Sequence, residues 1–186
     1  MKAFVRWAAV SLLGFTLWSD ALCAQNSYAI GIGGGAAIPV GRLKDAQTSG
    51  FNGLVSLALG VAELPIGVRI DGIYNRFPRS GNTSPATGPS NTYSLRASGI
   101  LGNLIFAFPG TSTKAYAIAG GGLYYTKVDV AGAKSERDPG LNAGAGFTFG
   151  FGPIASFVEA RYHFIRRPPE KGGVVHFVPI TLGIMF

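Results

Sequence analysis

The chain reads as an all-β protein: an eight-stranded antiparallel transmembrane β-barrel, an up-and-down meander closed by its C-terminal strand. Three observations predict this. The first is apolarity without long apolar runs. Only 13% of the 186 residues are charged, about half the usual share of a soluble domain. Mean hydropathy is positive, yet after the first twenty residues no uncharged apolar run approaches the roughly 20 residues of a helical span. Abundant apolar residues that never run together must alternate, and besides helices only closed barrels satisfy their backbone in lipid. The second observation is alternation at a period of two, which recurs in eight segments. The third is the rhythm of the connections. They run about ten, three, fourteen, five, twelve, two and ten residues, as long external loops and short periplasmic turns do. Glycine, 28 of 186 residues, is roughly twice its usual share and suits strands that bend and approach closely.

Residues 1–24 read as a cleaved signal peptide and residues 25–186 as one barrel domain. Lys2 and Arg6 form a positive start, and Trp7 to Trp18 an apolar core too short to span a membrane. Small residues follow at Ala21, Cys23 and Ala24. Cleavage after Cys23 and cleavage after Ala24 both stay open. Cys23 is the only cysteine, which excludes an intrachain disulfide. A lipidated Cys23 is the alternative to a discarded one, although Asp20-Ala21-Leu22 fits a lipoprotein signal poorly.

The first strand is expected at 27–38, with Tyr28, Ile30, Ile32, Ala36 and Ile38 outward against a Gly/Ala face. The second, 51–62, puts Phe51, Val55, Leu57, Leu59 and Val61 outward and Asn52 and Ser56 inward. The third, 66–77, alternates Ile66, Val68, Ile70 and Tyr74 with Arg69, Asp71 and Asn75. Residues 78–91 are rich in turn formers. The fourth strand, 93–108, begins with Tyr93, Leu95 and Ala97 outward and Arg96 inward, then changes parity. A β-bulge or bend near 99–102 is the expected cause. The fifth strand, 114–128, contains Gly120-Gly121-Gly122, and its faces stay unassigned. Residues 129–140 read as a loop. The sixth strand, 141–151, puts Leu141, Phe147, Phe149 and Phe151 outward against Asn142, Gly144, Gly146 and Thr148. After a minimal turn at Gly152-Pro153, the seventh, 154–165, puts Val158, Ala160, Tyr162 and Phe164 outward and Glu159, Arg161 and His163 inward. The last stretch, 176–186, alternates Val178, Ile180, Leu182, Ile184 and Phe186 with Phe177, Pro179, Thr181, Gly183 and Met185.

That last strand resembles the C-terminal sorting signal of bacterial outer-membrane barrels. The resemblance implies that Ile180, Leu182, Ile184 and Phe186 are read by the barrel assembly machinery. Further phrases carry a wider resemblance: Gly50-Phe51-Asn52-Gly53, Gly67-Val68-Arg69-Ile70-Asp71-Gly72, Tyr116-Ala117-Ile118-Ala119-Gly120 and Phe157-Val158-Glu159-Ala160-Arg161-Tyr162. In this order the chain is similar to the OmpA-type family of small outer-membrane β-barrels, over nearly its whole length after the signal. The resemblance implies export to the bacterial outer membrane. It implies no shared activity, because a fold sets a location and not a chemistry.

Inward-facing Arg69, Asp71, Arg96, Glu159, Arg161 and His163 are the candidate lumen residues. An eight-stranded barrel has room inside only for its own side chains, and buried charges must pair. The expectation is therefore a structural ion network, with proton sensing by His163 as the functional alternative. The spacing yields no Ser/His/acid set, so no enzyme is expected. Two distant histidines make a poor metal site, and no cofactor is expected.

Arg42, Lys44, Arg79, Lys134, Arg137, Arg166, Arg167 and Lys171 form a basic loop set near the outer rim. It suits outer-membrane lipid and lipopolysaccharide phosphates, or another extracellular polyanion. The net charge of +7 does not point to nucleic acid, since no binding motif accompanies it. Tyr28, Tyr74, Tyr93, Tyr116 and Tyr162 suit interfacial girdles. Two rivals remain at this level: a narrow pore, favoured by the glycine-lined inner faces, and a soluble lipocalin-like barrel holding an apolar ligand.

Overall fold

A computed structural model describes residues 28–60, 65–79, 94–110, 112–129, 132–151, 154–168 and 173–186. Residues 1–24 with Cys23, Val61, Tyr93, Lys171 and the outward placement of Phe151 lie outside what it describes. The elements are β1 (Tyr28–Val40), α1 (Arg42–Ala46), β2 (Gly50–Gly60), β3 (Ile66–Phe77), β4 (Leu95–Ala107), β5 (Thr113–Val128), β6 (Glu136–Phe151), β7 (Ile154–Ile165) and β8 (Val175–Met185). The eight strands form a closed antiparallel barrel in meander order. β8 pairs with β1 from Gly31↔Met185 to Val40↔His176. The backbone of Phe186 extends this seam: it donates to Ile30 at 2.9 Å and accepts from it at 2.8 Å. Closure leaves the sheet without an edge.

Alternation builds the wall. In β3, Arg69, Asp71, Ile73, Asn75 and Phe77 are buried inside, while Ile66, Val68, Ile70 and Tyr74 are exposed outside. β8 exposes Ile180, Leu182, Ile184 and Phe186 and buries Phe177 and Thr181. The same division holds in β1, β2 and β7. The result is an apolar outer surface that circles the molecule, far larger than the few hundred Å² of a soluble protein's largest patch. Its height suits a bilayer. Ile66 to Arg76 spans ten steps of β3. At about 3.3 Å per residue and a tilt of about 40°, that is roughly 25 Å along the barrel axis.

Three sequence expectations are corrected. β4 carries no bulge: its register with β3 runs unbroken from Ile66↔Phe106 to Phe77↔Leu95. Leu95 and Ala97 are buried inside, and Arg96 and Ser98 face outward. The parity never changes; the polarity of the two faces does, because the long-loop end of the lumen is apolar. β6 starts at Glu136, five residues before the expected strand, and pairs Thr126↔Glu136 through Gly122↔Gly140. Those residues alternate in charge because the strand has risen above the apolar belt. In β5, Tyr116, Ile118, Tyr124 and Thr126 face inward. Tyr116 is thus a lumen residue and not a girdle anchor, whereas Tyr28, Tyr74, Tyr125 and Tyr162 are exposed on the wall.

Leu182, 64% exposed, lies near the middle of the belt. Leu182→Arg should weaken folding into phospholipid vesicles by about 2–4 kcal/mol. Equilibrium folding titrations read by gel migration without boiling measure this, and an unchanged midpoint would count against a lipid-facing wall.

Candidate functional site

The lumen holds two superposed layers. The middle one is ionic. Arg69 and Asp71 project from β3; Glu159 and Arg161 project from β7, four strands away and hence on the opposite wall. Arg69 Nη2 reaches Glu159 Oε2 at 2.7 Å, and Arg69 Nε reaches Asp71 Oδ1 at 3.0 Å. Arg161 Nη1 reaches Asp71 Oδ2 at 2.7 Å, and its Nε reaches Glu159 Oε1 at 2.7 Å. Two cations and two anions therefore alternate in a closed, neutral square. Each is almost fully buried. Tyr116 donates to Glu159 at 2.8 Å, Asn103 donates to Asp71 at 2.9 Å, and Asn142 donates to Asn103 at 2.9 Å. Alongside, Asn52 donates to Thr181 at 2.5 Å.

The layer towards the long loops is apolar. Phe77, Leu95, Ala97, Tyr124, Ile165, Val175 and Phe177 are buried together, with Leu43 of α1 packed on them. Phe77 and Phe177 meet edge to face at 5.3 Å. His163 sits where the layers join. Its ring stacks on Phe177 at 4.8 Å, and its Nδ1 lies 2.8 Å from the Tyr124 hydroxyl. The first long connection reaches across this end: Thr48 N donates to the Pro78 carbonyl at 2.8 Å, and Gln47 bridges to Arg79. Below the ionic layer, a cavity of about 140 Å³ lined by Arg69, Lys114, Tyr116, Thr148 and Met185 opens toward the short turns.

The structure brings together Arg69, Asp71, Glu159 and Arg161, and it does not bring in Arg96. Arg96 faces outward and pairs with Asp129 at 2.7 Å. Its expected place inside follows from the inverted reading of the β4 faces. His163 is inside but bonds to Tyr124 and not to the ion square. Asn103 and Tyr116 complete the square and escape the sequence reading, since their strands are the two whose faces alternation does not reveal. Most of the glycine-lined inner face is occupied. A side chain at Gly183 would collide with the Phe157 ring, one at Gly146 with the Tyr116 ring and one at Gly31 with Ser56, whereas at Gly150 nothing lies within 4 Å of an added Cβ.

On the rim, Arg42, Lys44, Lys134, Arg137 and Arg166 are exposed and Arg79 is half-buried. Arg167 is not a free loop cation. It pairs with Glu136 and, at 3.3 Å, with Asp138.

This arrangement defines a class: small closed barrels with an apolar wall and a lumen filled by their own side chains. No protein-family model matches the chain, and no curated protein does. Solved structures match in fold. Neisserial surface protein A is similar over 87% of this chain and 98% of its own, at 19% identity and a TM-score of 0.64. A major outer membrane protein from Thermus thermophilus is similar over 87% of this chain and 98% of its own, at 12% identity and a TM-score of 0.53. Ail of Yersinia pestis, the attachment invasion locus protein, aligns at 18% identity and a TM-score of 0.45, over 87% of this chain and 98% of its own.

Glu159→Gln leaves two buried guanidinium groups facing one carboxylate. It should destabilise the barrel by about 3–5 kcal/mol, whereas Arg69→Met with Glu159→Met should cost less than the two single changes added together. Urea unfolding of these variants and the wild type in one detergent checks this, and additive losses would mean the two residues act independently.

Proposed function

We propose that the chain is an integral protein of the bacterial outer membrane, with a non-enzymatic role in envelope structure or in surface interaction through basic extracellular loops. One observation carries the reading: a continuous apolar wall, about one bilayer tall, surrounds a neutral, filled interior. A lipocalin-like barrel needs the opposite arrangement, with apolar residues around an internal ligand. A pore needs an open lumen, whereas here the ion square ties the walls and aromatic rings cover it. The fold likeness to solved outer-membrane barrels supports the location. A cleaved signal at 1–24 and the OmpA-type kinship belong to the same proposal. So does recognition of Ile180, Leu182, Ile184 and Phe186 by the assembly machinery. Lipid, lipopolysaccharide or an extracellular polyanion are the proposed partners of the exposed loop cations Arg42, Lys44, Lys134 and Arg166, and nucleic acid is not among them.

Expressed in a Gram-negative host, the protein should enrich with outer membranes and migrate differently on gels with and without boiling. A single cysteine placed at Lys134 should react with a membrane-impermeant maleimide on intact cells. A soluble periplasmic protein, or one without a heat shift, would overturn the reading.

A further inference from the structure

A second charge cluster lies on the outer wall, away from the lumen. Arg76 on β3 stands directly opposite Arg96 on β4, and Arg96 directly opposite Lys127 on β5. Like charges in facing positions repel, so the row needs negative charge. Among the described residues one carboxylate meets it: Asp129, at 2.7 Å from Arg96 and 3.5 Å from Arg76. Both arginine side chains remain accessible, 42% and 43% exposed. Lys127 is exposed, and so is Arg137 on β6, which lies opposite Tyr125, one step below the row. At the same end of β2, β7 and β8, the outward residues are Phe51, Phe164 and His176. Among the described strand residues, the outward cations of this end therefore lie on β3 to β6.

What lies beneath the row gives it a direction. One step down come Tyr74, Ser98 and Tyr125, again facing partners across β3, β4 and β5. A further step down are Gly72, Ile100 and Leu123. There the wall is hollowed into a groove of about 510 Å³, lined by Gly53, Val55, Gly72, Tyr74, Ser98 and Ile100 among others. The hollow exists because Gly53 and Gly72 present no side chain outward. From rim to belt the order is cation, hydroxyl, apolar groove. That is the order of phosphate, sugar or glycerol oxygens, and acyl chain in a membrane leaflet.

On this ground we infer that the β2–β5 wall binds a phosphorylated, acylated lipid of the surrounding leaflet. Its phosphate meets Arg76, Arg96 and Lys127, and an acyl chain lies over Gly53 and Gly72. Guanidinium groups suit this task because each offers paired donors to phosphate oxygens. The inference rests on the outer-membrane reading above and adds a ligand class and a position.

The test uses the folded full-length protein in dodecylmaltoside micelles, with diphosphoryl lipid A and phosphatidylcholine as probes and native mass spectrometry as readout. Wild type should retain one lipid A in preference to phosphatidylcholine. Arg76→Gln, Arg96→Gln and Lys127→Gln combined should weaken retention roughly tenfold or more, as expected for lost charge-assisted bonds. Asp129→Asn should strengthen it, a direction that misfolding does not produce. Gly53→Leu with Gly72→Leu should weaken it by filling the groove. Both positions have room for a side chain to start outward: an added Cβ meets nothing within 4 Å at Gly53 and only the Val55 carbonyl at 3.9 Å at Gly72. Lys114→Gln, exposed at the opposite, short-turn end of β5, should leave retention unchanged. A loss from this control as large as that from Lys127→Gln alone would overturn the site in favour of diffuse attraction. Retention insensitive to the groove variants would overturn it in favour of a soluble polyanion. A heat-modifiable protein that ignores lipid A would sink the lipid site alone, whereas absence of heat modification would sink the membrane reading beneath it.

Discussion

The square of Arg69, Asp71, Glu159 and Arg161 is the constraint that the rest of the barrel accommodates. A wall that is apolar outside leaves polar residues inside, and a ring of eight strands is only wide enough for side chains. Each buried charge must then find its partner within the lumen. Here the partners come from opposite walls, so the ion pairs tie β3 to β7 across the diameter. The square also fixes register. Sliding β3 by one residue would turn Arg69 and Asp71 out into the apolar belt and bring Ile70 inside. Asn103, Asn142 and Tyr116 take up further hydrogen-bonding capacity around it. The net charge of the square is zero, so no free charge is left in it to attract a permeating ion.

Polarity then inverts with height. Within the belt, apolar residues are outside and polar ones inside. Beyond it, Arg76, Arg96 and Lys127 are outside, and Phe77, Leu95 and Phe177 are inside. A strand crossing that boundary keeps its geometry and exchanges its chemistry. Alternation therefore reports the faces of β1, β2, β3, β7 and β8 well, because most of their length lies within the belt. It fails for β4, whose first residues sit above the belt. Leu95 and Ala97 read as wall residues because they are apolar, and Arg96 reads as a lumen residue because it is charged. The apparent parity change is a change of medium along one straight strand.

Three further features are hidden for related reasons. The start of β6 alternates Glu136, Arg137 and Asp138, which reads as a solvated loop, yet Glu136 and Asp138 pair with Arg167. Charge on both faces conceals a strand whose backbone pairing continues regardless. In β5 the glycine run removes the side chains that would declare a face, so Tyr116 and Tyr124 can be placed only by the register with β4 and β6. The opposing walls that meet in the ion square are likewise invisible locally. Glu159 and Arg161 are readable as neighbours two residues apart, but their pairing with β3 requires the strand order and the closure.

A filled and neutral lumen moves the chemistry of this protein to its outer surface, and that surface is not uniform. A barrel held in a membrane only by its apolar belt has no preferred rotation about its axis. Here β3 to β6 carry Arg76, Arg96, Lys127 and Arg137 beside a wall hollowed at Gly53 and Gly72, while β7 and β8 carry Tyr162, Phe164 and His176 in contact through the His176 ring. Tyr162 and His176 are joined by a 2.5 Å hydrogen bond, so that side pairs polar atoms internally and needs little from its surroundings. The cationic side does not. Aligning facing positively charged residues across three strands is destabilising in isolation, and among the described residues Asp129 alone pairs with them. Such an arrangement is stable where anionic groups are dense, as at the phosphate level of a leaflet. On the proposed lipid site, the uneven wall would couple the barrel's stability to the composition of a leaflet around one sector of it.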